Sequence, residues 1–295
     1  MKNSLSILIP AYNGDCRALV DELCHQADAI SGLSYEVIVA DDGSPDASMT
    51  ALCREVERHG HCRFIARQVN VGRAAIRNFL AREARYEWLL FIDCDMAIIS
   101  AHYLKDYLAC EGDVVYGGYR ISEGPRSCLR YIYEKSCEQQ HTAEKRRQRP
   151  FQHFHTSNFM VRCDIMAEHP FDERFRKYGY EDVFFGKQLR RSGIGISHID
   201  NPTGFHVFEE NSAFVAKTEE GLETLQQFRA ELQGYSQLLT FVGGIHLGAV
   251  RCCLRLLHKA FRRLERRNLC GRHPSLRIFK LYKLGYFLSL DSQNR

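Results

Sequence analysis

The chain has 295 residues, 45% hydrophobic and 26% charged with only seven prolines, the make-up of a globular protein with length for one large domain or two small ones. That composition argues against a disordered or fibrous chain. No stretch reaches the roughly 18 uninterrupted apolar residues of a spanning helix; the nearest, Leu238 to Leu257, is broken by His246, Arg251 and Arg255. The start, Met1-Lys2-Asn3-Ser4-Leu5-Ser6-Ile7-Leu8-Ile9-Pro10, stops at a proline after a strand-length run, unlike a signal peptide. Twelve cysteines are scattered without a C-x-x-C pattern, several in apolar contexts (Cys24, Cys53, Cys163), so reduced, mostly buried thiols in a cytoplasmic protein are expected. The net charge of +4 is uneven. Arg251 to Lys283 carries eleven Lys/Arg against Glu265 alone, +10, which leaves −6 for the remainder.

In chain order, Ser4 to Ile9 reads as a strand and Cys16 to Ile30 as a helix with Leu19, Leu23, Ala27 and Ile30 on one face. Tyr35 to Ala40 is a second strand, ending at Asp41-Asp42-Gly43-Ser44. Asp46 caps a helix carrying Met49, Leu52, Cys53 and Val56. Phe64 to Val69 is a third strand and Ala74 to Arg85 a helix with Phe79 and Leu80 inward. Trp88 to Ile92 is then an apolar strand closed by Asp93-Cys94-Asp95. This alternation predicts a parallel, doubly wound α/β sheet. Further on, Val114 to Tyr119 and Ser157 to Val161 read as strands. The basic stretch Glu144 to Arg149 between them reads equally as a mobile loop near the site or a solvated helix face. Asp182 to Arg191 is a helix stopped by Ser192-Gly193, and residues 219 to 267 look largely helical.

Two acids one residue apart at the carboxyl end of a buried strand stand where α/β sheets bind ligands. Carboxylates there are costly unless a cation or hydrogen-bond donor needs them, and a hard divalent ion shared with a diphosphate is one such need. An isolated D-x-D is more often a pair of loop acids capping the next helix. The first two strand ends supply partners, Pro10-Ala11-Tyr12-Asn13 and Asp41-Asp42-Gly43-Ser44. An aromatic beside an acid suits a nucleobase: Tyr12 stacks and Asp42 accepts an imide N–H, which uracil and thymine have and cytosine lacks.

Several segments, taken in order, carry a family resemblance. They are Ser6-Ile7-Leu8-Ile9-Pro10-Ala11-Tyr12-Asn13, Asp41 to Asp46, Asn70-Val71-Gly72 with Ala75-Ile76-Arg77-Asn78, Asp93-Cys94-Asp95, Phe171 to Phe175 and Tyr178-Gly179-Tyr180-Glu181-Asp182. Over residues 4 to 210 the chain resembles a family 2 glycosyltransferase of the GT-A fold, of the bacterial polysaccharide type. The resemblance implies a Rossmann-like, mostly parallel central sheet flanked by helices. It also implies a metal-dependent, inverting transfer of a sugar from a nucleotide-diphosphate sugar, UDP-linked by the reading of Tyr12 and Asp42, to a hydroxyl of a glycan or lipid-linked acceptor. Pro10, Tyr12 and Asp42 would hold the base, Asp93 the ribose or sugar hydroxyls, and Arg77 would lie near the donor. Asp95 would ligate Mn2+ or Mg2+, and His206 stands where related enzymes complete the metal site; a buried structural histidine is the competing reading. Asp182 would be the catalytic base, with Glu181 binding hydroxyls and Ser157 and Asn158 touching the acceptor. Both acids also suit the N-terminus of the following helix. His153 and His155 have no partner assigned by the sequence. Cys94, a soft residue between the two acids, is expected to turn its thiol away from an oxygen-preferring ion.

Beyond this, Leu247, Val250, Leu254, Leu257, Phe261 and Leu264 recur at steps of three and four, with Arg251, Arg255, Lys259, Arg262, Arg263, Arg266 and Arg267 opposite and Leu256 out of place. Phe279, Tyr282, Tyr286 and Phe287 follow among Arg277, Lys280 and Lys283. A basic amphipathic helix with aromatics nearby fits an anionic membrane surface, contacted through 247–287 at the inner face of the cytoplasmic membrane. The same stripe would also serve to pack on the protein body. No base-reading motif accompanies the charge, so nucleic acid is not an expected partner. The organisation expected is a GT-A domain over 1–215, with a nucleotide-sugar half at 1–115 and an acceptor half at 116–215, and a helical basic extension over 216–295. Rival readings are a non-catalytic sugar-nucleotide binder or membrane scaffold of the same fold, which would have no need of Asp182, and a nucleotidyltransferase. The latter would carry a glycine- and arginine-rich signature where Ala11-Tyr12-Asn13-Gly14-Asp15 stands.

Overall fold

The computed structural model describes residues 2–291. The elements run β1 (Ser4–Ala11), α1 (Arg17–Asp28), β2 (Ser34–Asp41), α2 (Ala47–Arg54), β3 (Cys62–Ala66), α3 (Arg73–Glu83), β4 (Trp88–Ile92), β5 (Met96–Ile98), α4 (Tyr103–Ala109), β6 (Val114–Tyr116), β7 (Tyr119–Ile121) and α5 (Leu129–Cys137). They continue α6 (Ala143–Gln148), β8 (Asn158–Arg162), α7 (Cys163–Glu168), α8 (Glu181–Arg191), β9 (Ser197–His198), β10 (Thr203–Phe205), α9 (Asn211–Gln227), α10 (Gln237–Gly244), α11 (Gly248–Leu269) and α12 (Leu276–Leu290). Two compact units result. One holds the chain up to Ser122 with Gln139–Arg176 and Glu181–Val207; the other holds Glu123–Glu138, Lys177–Tyr180 and the chain from Phe208 on.

The first unit is built on a seven-stranded sheet in the order β3-β2-β1-β4-β8-β6-β9. β1, β2, β3 and β4 pair in parallel, because a helix after each of β1, β2 and β3 returns the chain to the same end of the sheet. β8 runs antiparallel to both β4 and β6, so the sheet is mostly rather than wholly parallel. β1, β2 and β4 are buried without alternation, since both faces are covered. Leu8, Ile38, Phe91, Phe159, Phe171 and Phe185 form the centre of one core cluster. Asp46 caps α2 as expected, accepting from the Ser48 and Met49 N–H groups.

Three expectations need correction. Val114 to Tyr119 is not one strand: it divides at Gly117-Gly118 and β7 joins a second sheet, β5-β10-β7. The basic stretch Glu144–Arg149 is neither a mobile loop nor a wholly solvated face, because it contains helix α6 and buries Arg146. That guanidinium donates to the Gly117 and Ile199 carbonyls and lies over the Tyr116 ring. Cys163, expected inside, is exposed.

The second unit is helical. Leu129, Phe214, Val215, Leu269, Phe279 and Tyr282 form its core. Tyr286 and Phe287 are buried as well, so the aromatics near the basic helix belong to the interior of this unit. α11 and α12 pack closely at Gly285, where a Cβ would stand 2.4 Å from the His258 Cβ. Among the described residues no helix is long and apolar enough to cross a membrane.

Candidate active site

The carboxyl ends of β1, β2 and β4 lie side by side because the three strands are adjacent and parallel. Pro10 closes the apolar run of β1, and Tyr12 follows, 49% exposed with its ring available. Asn13 takes a left-handed φ of 49°, which asparagine tolerates, and its N–H donates to Ser44 Oγ at 2.8 Å. The first two loops are thereby tied to each other.

Asp42 is buried and accepts from the Val71 N–H at 3.1 Å and the Gly72 N–H at 3.0 Å. Gly72 has φ 91°, and a Cβ there would stand 2.7 Å from the Arg176 carbonyl oxygen, which is why glycine occupies it. Burial raises the Asp42 pKa, against the two backbone donors that lower it. A carboxylate has about four acceptor positions, so the backbone does not exhaust it.

Asp93, directly after β4, does not stand alone. Arg77 on α3, 1% exposed, donates to its Oδ1, and Arg73 one turn earlier donates to its Oδ2 at 2.9 Å. Arg73 Nε also reaches Glu181 Oε1 at 2.7 Å, and Arg77 Nη1 lies 3.8 Å from the same oxygen. Two guanidiniums and two carboxylates thus form a network joining the β4 loop to the first turn of α8. The charges cancel, as a buried ionic cluster requires. Arg73 was missed by the sequence reading, although an i,i+4 spacing to Arg77 puts both on one helix face.

Asp182 follows Glu181, and its Oδ1 accepts from the Val183 N–H at 2.7 Å. Its Oδ2 meets His155 Nδ1 at 2.9 Å, giving that histidine the partner the sequence could not assign. Burial works against ionisation of Asp182. The hydrogen bond and charge of His155, the Val183 N–H and the Arg73 charge outweigh it and hold the carboxyl below the usual range. His155 is ringed by Tyr119 at 5.9 Å and His141 at 5.6 Å between centroids. Burial, with the neighbouring His155, His153 and Arg146 charges, lowers His141 to about 3 and keeps it neutral.

Ser157 and Asn158 part company. The Ser157 carbonyl accepts from the Asp93 N–H at 3.1 Å, and its buried Oγ has no hydrogen-bond partner among the described residues. Asn158 is wholly buried and its amide is spent: Oδ1 accepts from the Tyr103 and Tyr107 hydroxyls, and Nδ2 donates to the Gly118 and Asn201 carbonyls. With nothing left to offer a substrate, Asn158 drops out of the expected acceptor contacts and instead locks β8 to its neighbours.

Asp95 precedes β5 and His206 follows β10. These strands pair antiparallel with Met96 opposite Phe205, so Asp95 and His206 occupy the next facing position of the same register. His206 is exposed, not a buried structural histidine. Among the described residues no group of three or more His, Cys, Asp or Glu could hold a metal ion by itself. Two protein ligands nevertheless suit an ion that takes its remaining oxygens from water and substrate phosphates. Burial, with the Asp95 and Asp93 charges, pushes the Cys94 thiol up to about 12.

A mostly parallel sheet whose adjacent strand ends carry an exposed aromatic, a buried acid and a D-x-D defines a GT-A protein. The chain belongs to glycosyl transferase family 2, whose sequence model matches residues 6–169. It is 27% identical over 244 residues to a chondroitin synthase of Escherichia coli, 69% of this chain but 34% of that protein, so it spans about a third of that relative's length. It is 34% identical over 106 residues, 35% of this chain and 16% of the relative, to a poly(ribitol-phosphate) beta-glucosyltransferase of Bacillus spizizenii. In fold it is similar to S. aureus TarS 1-349 in complex with UDP, at TM-score 0.54 and 18% identity, covering 99% of this chain and 91% of that one. It is also similar to the mannosyltransferase PcManGT from Pyrobaculum calidifontis in complex with GDP-Man and Mn2+, at TM-score 0.56 and 14% identity, covering 98% and 86%.

Proposed function

We propose that the protein is an inverting glycosyltransferase that moves a sugar from a nucleoside diphosphate sugar, UDP-linked, to a hydroxyl of a glycan or lipid-linked acceptor. The observation that carries this reading is the Arg73 bridge, which joins Asp93 at the donor loop to Glu181 beside the base. A protein that only bound a sugar nucleotide would have no use for an Asp182 whose carboxyl His155, the Val183 N–H and Arg73 hold below the usual range against its burial.

Tyr12 stacks on the base and Asp42 accepts its imide N–H. Asp93, with one face held by the two arginines, takes sugar or ribose hydroxyls on the other. The acceptor hydroxyl gives its proton to Asp182, and its oxygen attacks the anomeric carbon from the face opposite the phosphate. The bond from that carbon to the diphosphate oxygen breaks, and the nucleoside diphosphate leaves with the electron pair. His155 orients Asp182 through its Nδ1 contact with Oδ2. Ser157, with a free Oγ, contributes an acceptor contact. A divalent ion, Mn2+ or Mg2+, held by Asp95 and His206 would supply charge neutralisation at the diphosphate. PcManGT, solved with GDP-Man and Mn2+, and TarS, solved with UDP, support donors and ions of this class. The basic segment within 247–287 is read as peripheral contact with an anionic membrane, where a lipid-linked acceptor is presented.

Calorimetric titration with UDP, with and without Mn2+, tests the donor site. Binding should require the ion and disappear in Asp95→Ala, with GDP and dTDP as alternative bases. Asp182→Asn should keep UDP binding and lose about 10²- to 10⁴-fold in transfer rate. Unchanged transfer in that variant would remove Asp182 from the mechanism.

A further inference from the structure

Helix α11 is built the opposite way round from an ordinary surface helix. Its buried residues are His258 and Leu269, and the side turned to the protein is otherwise polar. His258, 4% exposed, pairs through Nδ1 with Glu265 at 2.8 Å and packs edge-on against Tyr282. Arg266 donates to Glu219, which Arg262 also approaches at 3.7 Å. Arg251 closes the preceding turn by donating to the Val242 and Ile245 carbonyls, each at 2.8 Å.

The apolar residues are on the outside. Leu264 is 61% exposed, Leu256 56%, Phe261 50%, Leu257 49% and Val250 41%. At about 100° per residue these five, with Cys253 and Ala260, fall within one outward arc. Leu256, out of place on the stripe read from the sequence, belongs to this face. The helix has 22 residues, a length of about 33 Å. Lys259 and Arg263 run along one edge of the arc and Arg267 closes its end; all three are exposed and make no ion pair among the described residues.

We propose that this face of α11 lies in the interface of an anionic lipid bilayer, with Val250, Leu256, Leu257, Phe261 and Leu264 inserted and Lys259, Arg263 and Arg267 against the headgroup phosphates. This deepens the membrane contact in the proposed function by naming the face. It moves the contact off the segment's aromatics, which are interior, and onto residues 250–267. Charge complementarity selects the occupant. A protein partner or second copy would have to bring both an apolar strip and three acids to one edge, whereas an anionic bilayer presents both along any line. Burial of the apolar arc and attraction of the cations add in the same geometry, and a helix lying flat needs no spanning length.

The test is co-sedimentation of the full chain with vesicles of phosphatidylcholine containing phosphatidylglycerol, against pure phosphatidylcholine, at low and high salt. The chain should pellet with the anionic vesicles only, and less at high salt. Lys259→Gln/Arg263→Gln/Arg267→Gln should weaken binding by roughly two orders of magnitude. Leu257→Ser/Phe261→Ser/Leu264→Ser should abolish it while keeping the wild-type melting temperature. Equal binding of either triple variant to wild type, or no pelleting of the wild type, overturns the proposal. So does a dimer in sedimentation velocity that the apolar triple dissociates without any vesicle binding. UDP titration of the same samples separates the two readings. Vesicle binding without UDP binding sinks the enzymatic reading alone, and the converse sinks this one alone.

Discussion

The β4–α8 network in the first unit and helix α11 in the second invert the usual rule from opposite sides. In the network, Arg77 and Glu181 are buried and polar, held by each other and by Asp93 and Arg73. On α11, leucines and a phenylalanine are exposed while His258, hydrogen-bonded to Glu265, faces inward. The difference teaches that burial here follows what a residue is for. Buried charge is expensive and persists here in a cluster whose opposite charges pair. Exposed apolar surface in a continuous strip is equally uncommon and marks a face that meets something else.

The contrast can be broken first at Arg77. Arg77→Met leaves Asp93 and Glu181 with only the half-exposed Arg73, and should cost about 3–5 kcal/mol in urea unfolding. A loss under about 1 kcal/mol would mean the cluster is solvated and the inversion is only apparent.

The pair of Asp182 and His155 sharpens the comparison at its chemical end. The folded pKa of Asp182 is depressed, so its carboxylate contributes stability above the ordinary carboxylate range and loses it as pH falls through the lower folded value. The acid limb of transfer activity should therefore lie below the usual carboxylate range. In His155→Ala burial is left to dominate and that limb should move to higher pH. His155→Gln, which keeps a donor, should recover part of the difference. An unmoved limb would show that His155 only fills space.

The smallest effect is expected on α11. Leu264→Ser changes a side chain that is 61% exposed, so unfolding should change by no more than about 0.5 kcal/mol. A loss of about 2 kcal/mol or more would show that the strip is structural after all.

Much of the site was legible because its residues sit at strand ends, and strands with both faces buried announce themselves as short apolar runs closed by polar residues. Ile9-Pro10, Ala40-Asp41-Asp42 and Ile92-Asp93 are such ends. His155 and Arg146 were not legible. His155 lies 27 residues from Asp182, and Arg146 is buried against Gly117 and Ile199 from a stretch whose charge suggests solvent.

The linear order of residues by itself determined that β1, β2 and β4 are core strands, that Asp42, Asp93 and Asp95 stand at their ends or just past them, and that α11 is amphipathic. These follow from periodicity and local polarity, which a few neighbouring residues set. Only the tertiary structure decided that β8 runs against its neighbours, that Asn158 is consumed by four hydrogen bonds, that Arg73 joins Asp93 to Glu181, and which side of α11 faces out. Each of these depends on groups distant in sequence competing for one donor, one acceptor or one surface, and no local pattern records who wins.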